Sequence, residues 1–256
     1  MERGGGGGDE EEIVCLDESF FINDNYQLTR FTFGSQVLEL YCLQSASTDF
    51  DLTGQLVWPG AELLNDYLSK NAHMLRGCSV IELGSGVAVV RGITGILCSR
   101  YCKKVVMTDH NDEVLKILAR NIELHDSSPN LVCSAEMKAE KLEWGNSEQL
   151  ASVLERHPQG LDLVLGADIY ILHFTSFQQS SIPLLFDTVE KLLQFSRGKK
   201  CRFILAYVSR AKGTDNMVIS EATRHGLSIS EVAGTRATVR NLEGCIYEII
   251  DGRKTI

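Results

Sequence analysis

From Cys78 to the C-terminus, short apolar runs rich in β-branched residues alternate with longer segments of helical period, and this alternation restricts the possible folds more than any other feature. A strand that returns parallel to its neighbour needs a crossover of a dozen or more residues, and the helix that supplies it covers one face of the sheet. Strands covered on both faces read as near-continuous apolar runs. Such runs stand at 78–83 (CSVIEL), 104–108 (KVVMT), 131–135 (LVCSA), 161–167 (LDLVLGA) and 202–208 (RFILAYV). Between them the 3.6-residue period predicts helices at 92–101, 112–125, 147–156, 182–195 and 213–225, the last stopped by Gly226. The final stretches, 227–232 and 245–250, have no helix between them and predict an antiparallel pair at one edge. The fold class is therefore α/β, a doubly wound and mostly parallel sheet of seven strands.

Upstream, 27–43 alternates in two short stretches around Gly34 and predicts a β-hairpin. Residues 51–68 lead into a helix beginning near Pro59, so 13–72 is an extension that caps the main domain, 73–256. Met1–Glu12 is a glycine run followed by an acidic run, expected to be a disordered leader. It has neither the apolar stretch of a signal peptide nor the Arg-rich, acid-poor character of a mitochondrial one, so the cytoplasm is the expected compartment, with the nucleus as a second. The composition, 44% hydrophobic and 23% charged with 4 Pro, suits one packed core. A net charge of −9 argues against a broad nucleic-acid surface, and no apolar run approaches the ~20 residues that span a bilayer. Eight cysteines are dispersed without CxxC spacing, which predicts reduced, buried thiols and no metal site; Cys98 and Cys102 share a helix face but do not complete a tetrahedral set.

The candidate site begins at Glu82-Leu83-Gly84-Ser85-Gly86, an acid at a strand end followed by two glycines that let the backbone turn sharply and approach a ligand. A lone G-x-G is weak, because any strand-to-helix turn can carry it. The next glycine is Gly92, so the G-x-G-x-x-G that cradles a pyrophosphate is not there. Glu82 suits a cationic amino-acid group, and Asp109, closing the second strand, is placed to accept both hydroxyls of a ribose. A nucleoside joined to a positively charged amino acid satisfies all three observations, and S-adenosylmethionine is such a ligand.

From Thr53 onward, the stretches TGQLVWPGAELLNDYL, VIELGSGV, GITGI, VVMTDHNDEVLKILARNI, LEWG, LDLVLGADIY and ILAYVSR are similar to the seven-β-strand protein methyltransferases, and within them to the lysine-methylating family often called methyltransferase family 16. The resemblance implies a Rossmann-like class I methyltransferase fold and S-adenosylmethionine as cofactor. Carried over by position, Glu82, Gly84 and Gly86 would line the methionine moiety, Asp109 the ribose, Trp144 the adenine, and Trp58 and Ala167 the rest of the cofactor wall. Asp168 opens the family's D-x-x-Y signature beside the methyl group and would position the nucleophile, with Tyr170 as second choice. A protein substrate is implied, a chaperone or a translation factor, with no nucleic acid, no membrane and a monomeric chain. Each residue also has a structural reading: Asp168 as a cap, Tyr170 as a core aromatic, Asp109 as an Asx-turn, and the two tryptophans as packing.

Two departures from the family pattern matter. Ala88-Val89-Val90-Arg91 interrupts it; the Gly84–Asp109 spacing of 25 becomes 21 without those 4 residues, close to the ~20 that strand-helix-strand geometry imposes. The insertion would either obstruct the cofactor loop or offer Arg91 to the methionine carboxylate, with damage the expectation. Tyr170 stands two residues after Asp168 instead of three, and alternate residues of an extended segment face opposite ways, so Phe174 or Phe177 are rival rings. Three functions stay open at this stage: a lysine methyltransferase, the leading reading; a fold-retaining binding protein without catalysis; and a methyltransferase for another acceptor. Tyr207 and Arg210 match a family position near the substrate, with a structural role the leading one.

Overall fold

The computed structural model describes residues 26–43, 57–86, 91–127, 135–168, 181–196, 200–209 and 212–254. The leader 1–12, Tyr170, Phe174, Phe177, Arg210 and the inserted residues 88–90 lie outside them.

Five parallel strands form the centre of the sheet: β3 (Ser79–Leu83), β4 (Lys104–Asp109), β5 (Glu136–Lys141), β6 (Leu163–Ala167) and β7 (Arg202–Val208). The C-terminal pair is β8 (Leu227–Glu231) and β10 (Leu242–Asp251), and β10 slots antiparallel between β7 and β8. The spatial order is β5-β4-β3-β6-β7-β10-β8, and a short β9 (Ala237–Val239) pairs with β10 to make eight strands, one more than expected. Arg240 and Asn241 join β9 to β10 with φ of 48° and 69°. Two successive positive φ values define a type I′ hairpin turn, and an Arg in its first position conceals it from the usual Asn-Gly signal.

The third parallel strand among the described residues is Glu136–Lys141; of the expected run 131–135 only Ala135 is described, and it lies outside that strand. An edge strand with one exposed face reads as alternating: Met137 and Ala139 pack on the first core and Glu136 and Lys138 are exposed, while Glu140 on the second face is buried beside Arg156 and His157.

The crossover helices are α2 (Ile93–Ser99), α3 (Asp112–Asp126), α4 (Ser147–Arg156), α5 (Ser181–Phe195) and α6 (Lys212–Arg224), preceded in the chain by α1 (Pro59–Lys70). Successive strand residues face opposite ways and build two cores. Val80, Val105, Met107 and Leu165 pack toward α1, α2 and α3, while Ile81, Val106 and Val164 pack toward α4, α5 and α6.

The upstream hairpin, β1 (Tyr26–Phe33) and β2 (Gln36–Leu43), turns at Gly34, whose φ is +57°, and lays Leu38, Leu40 and Cys42 on the first core. The outer edge of β2 meets side chains where a third strand would stand. Arg100 Nη2 donates to Val37 O (2.9 Å), His125 Nε2 lies 2.8 Å from Glu39 O, and Asn121 Oδ1 accepts from Tyr41 N (2.8 Å). These three residues satisfy backbone groups that would otherwise invite another chain. Among the described residues no helix is long and apolar enough to cross a membrane.

Candidate active site

Strand order reverses at β3: the chain runs outward through β4 and β5, then crosses back to place β6 on the other side. In open α/β sheets, ligand crevices lie at the carboxyl ends of the strands beside such a reversal. Glu82, Asp109 and Asp168 stand at the carboxyl ends of β3, β4 and β6, with 6%, 6% and 5% exposure.

The first two acids converge on one turn. Glu82 Oε2 accepts from Ser85 Oγ (2.8 Å) and Gly95 N (3.2 Å) in the first turn of α2. Asp109 Oδ2 accepts from Gly86 N (3.1 Å), and Asp109 Oδ1 from Asn111 N (2.9 Å). Ser85 N donates to Thr108 O (2.8 Å), and Gly92 N to Ser85 O (2.9 Å), which closes the turn against both strands. Gly84 has a φ of +71°, so the turn needs a residue without a Cβ. At Gly86 a Cβ would stand 2.1 Å from Val114 Cγ1 and 2.7 Å from Asp109 Oδ2, so it is α3 and the acid that exclude a side chain.

Burial pushes the Glu82 carboxyl up to about 7, against the lowering pull of Ser85, Thr94 and the Gly95 amide, and the neighbouring charge of Asp109 adds to the rise. Removing water disfavours the carboxylate, and a cation placed beside it would reverse that effect. The Asp109 contact with Asn111 is also the Asx-turn that leads into α3, so the structural and the ligand-binding readings coexist at one residue.

Asp168 follows β6 with φ of 45°, a left-handed backbone that Asp tolerates better than most residues. Its Oδ2 accepts from Gly60 N (2.5 Å) and Ala61 N (3.2 Å), the second and third positions of α1. Pro59 in the first position has no N–H, so the carboxylate takes the next two free donors and meets the positive end of the helix. A Cβ at Gly60 would stand 2.7 Å from Asp168 Cγ. The W-P-G-A sequence and the acid 108 residues later are therefore one unit.

Trp58 is the N-cap of this helix, and Ala167 ends β6 opposite Ala206. Trp144 packs against the second core just after Leu142, whose N–H donates to Asp109 O (2.9 Å), so it follows the chain at the same carboxyl end of the sheet as Asp109. Tyr207 is buried at the end of β7, and its hydroxyl donates to Asp215 Oδ1 (2.7 Å), with Ser209 Oγ on Oδ2 (2.9 Å). Burial and Asp215 together hold its ionisation well above the usual phenol range. Of the inserted tetrapeptide, Arg91 is described: it is 3% exposed, and its guanidinium lies in the field of Tyr26, Asp109 and Glu113. Sequence reading missed Ser85, Gly95 and Gly60 as partners of the acids, because small residues next to a turn carry no signal of their own. It also missed Asn121, which looks like a polar interruption of an apolar helix stripe.

The family described as lysine methyltransferase matches residues 39–223. The chain belongs to this lysine methyltransferase family. A protein-lysine N-methyltransferase EFM3 from Chaetomium thermophilum is 30% identical over 199 residues, 76% of this chain and 53% of its own. The mouse protein N-lysine methyltransferase METTL21A is 35% identical over 120 residues, 47% of this chain and 49% of its own. An EEF1A lysine methyltransferase 3 from Xenopus tropicalis is 36% identical over 138 residues, 53% and 51% respectively. The chain thus spans about half the length of the curated relatives it matches. The matched span contains Trp58, the Glu82–Gly86 turn, Asp109, Trp144 and Asp168, with the inserted Arg91 inside it.

Proposed function

We propose that this chain is an S-adenosylmethionine-dependent methyltransferase that acts on a lysine side chain of a protein substrate. The observation that carries the reading is the convergence of two buried carboxylates on the glycine turn Gly84–Gly86 at the strand reversal. That turn fits the cofactor: it has no side chain at Gly84 and Gly86, and it offers anionic groups to a ligand that is cationic at one end and carries ribose hydroxyls at the other. When bound, the cofactor supplies a methyl group activated by a sulfonium.

Glu82 would hold the cationic amino-acid end, and Asp109 the ribose. Trp144, Trp58 and Ala167 would border the nucleoside. Asp168 is assigned to the acceptor amine. A lysine must be neutral to attack, and a carboxylate fixed by a helix N-terminus can accept one of its N–H groups while burial lowers the amine's pKa. Translation factors are the first substrate class to test, by likeness to the EEF1A methyltransferase relative. The chain, labelled cofactor and a set of candidate proteins should yield methyl-lysine by mass spectrometry, with loss of label in Asp168→Ala. Transfer to any residue other than lysine would refute the acceptor, and no cofactor binding by titration would refute the whole reading.

A further inference from the structure

Asn121 is 0% exposed and lies on the buried stripe of α3 beside Leu118 and Ile122, where an aliphatic side chain would pack without cost. A buried amide is retained without penalty only if its donors and acceptor are met. Here Oδ1 accepts from Tyr41 N (2.8 Å), and Nδ2 donates to Arg91 O (3.1 Å) and to Tyr41 O (3.4 Å). One side chain therefore joins the outer edge of β2 to the residue that precedes Gly92. From there the path continues through Gly92 N to Ser85 O (2.9 Å) and through Ser85 Oγ to Glu82 (2.8 Å).

We propose that Asn121 is a positioning residue that couples docking of the β1–β2 hairpin to the Glu82–Asp109 turn, so that hairpin docking and cofactor affinity rise and fall together. The proposal rests on the reading of that turn as the S-adenosylmethionine site. Coupling between two sites is reciprocal: if the docked hairpin tightens cofactor binding, the cofactor must tighten the hairpin by the same factor. A merely structural asparagine obeys no such relation.

Hydrogen–deuterium exchange of the native full chain, with and without saturating S-adenosylmethionine, tests this directly. Amides at 37–43 are expected to exchange roughly ten-fold more slowly with cofactor, a protection that exceeds that at 227–231 on the far edge of the sheet. Asn121→Asp keeps an acceptor for Tyr41 N–H and loses the donor to Arg91 O. Its dissociation constant for S-adenosylmethionine is expected to rise roughly ten-fold, with the cofactor-dependent protection at 37–43 abolished. Equal protection at the two segments overturns the coupling, as does native affinity in a folded Asn121→Asp. Should that variant not fold, the exchange of the native chain decides alone. Absence of binding by the native chain overturns the cofactor reading itself and the coupling with it.

Discussion

With its carboxyl raised to about 7, Glu82 is half protonated near neutrality in the free protein, and the protonation state it must adopt to hold a cation is set by pH. An acid whose folded value exceeds its unfolded one adds stability that is whole below about 4.5 and lost as pH rises through about 7. The shift corresponds to about 3 kcal/mol withdrawn from the ligand-free fold at alkaline pH. Binding has the opposite sign, because a cationic ligand needs the carboxylate. At pH 6 only about one molecule in eleven carries it, so the apparent dissociation constant should be roughly ten-fold weaker than at pH 8. Calorimetric titration with S-adenosylmethionine across pH 6–8, in buffers of different ionisation enthalpy, should also record release of about three-quarters of a proton per site at pH 6.5. Glu82→Gln should bind weakly at every pH and release no proton. An affinity independent of pH in the native protein would show that the Glu82 carboxyl does not face the cation, and the reasoning would fail.

Other substitutions separate structure from chemistry. Gly86→Ala forces a Cβ to 2.1 Å from Val114 Cγ1 and should destabilise the fold by about 1–3 kcal/mol and abolish cofactor binding, read by thermal melts and titration. Asp168→Asn keeps an oxygen for the Gly60 and Ala61 amides and tolerates the same backbone, so its melting temperature should stay close to native while methyl transfer is lost. Asp168→Ala should lose both, with about 1–2 kcal/mol of stability gone with the cap. At the β5 edge, burial alone would raise Glu140, but hydrogen bonds and charge from His157 and Arg156 outweigh it and pull the carboxyl down to about 2. A depressed acid contributes stability above its unfolded value and loses it as pH falls through its folded one. Between pH 5 and 2 the native protein should therefore lose about 3 kcal/mol more than Glu140→Gln in chemical denaturation.

What the sequence discloses follows from where each signal resides. The parallel centre was legible because strands covered on both faces are apolar throughout, as in 161–167 and 202–208. β5 at Glu136–Lys141 was not legible because an edge strand carries only half that signal, and β9 was missed because its turn lacks the common residues. At the site, the acids were legible as side chains: Glu82, Asp109 and Asp168 each end a strand. Their partners were not, since the amides of Gly60, Gly86 and Gly95 are backbone groups that any sequence possesses and only the fold aims. Tyr170 and its rivals Phe174 and Phe177 lie outside the described residues.

The helix that follows Trp58 receives its missing cap from a residue 108 positions further along. A ribosome must therefore synthesise four of the five parallel strands, β3 to β6, before that helix end is closed, and until then its first amides bond only to water. Maturation of the acid at β6 is thus a late event in the life of each chain, and a nascent chain released before Asp168 leaves α1 without this cap and the cleft without this acid.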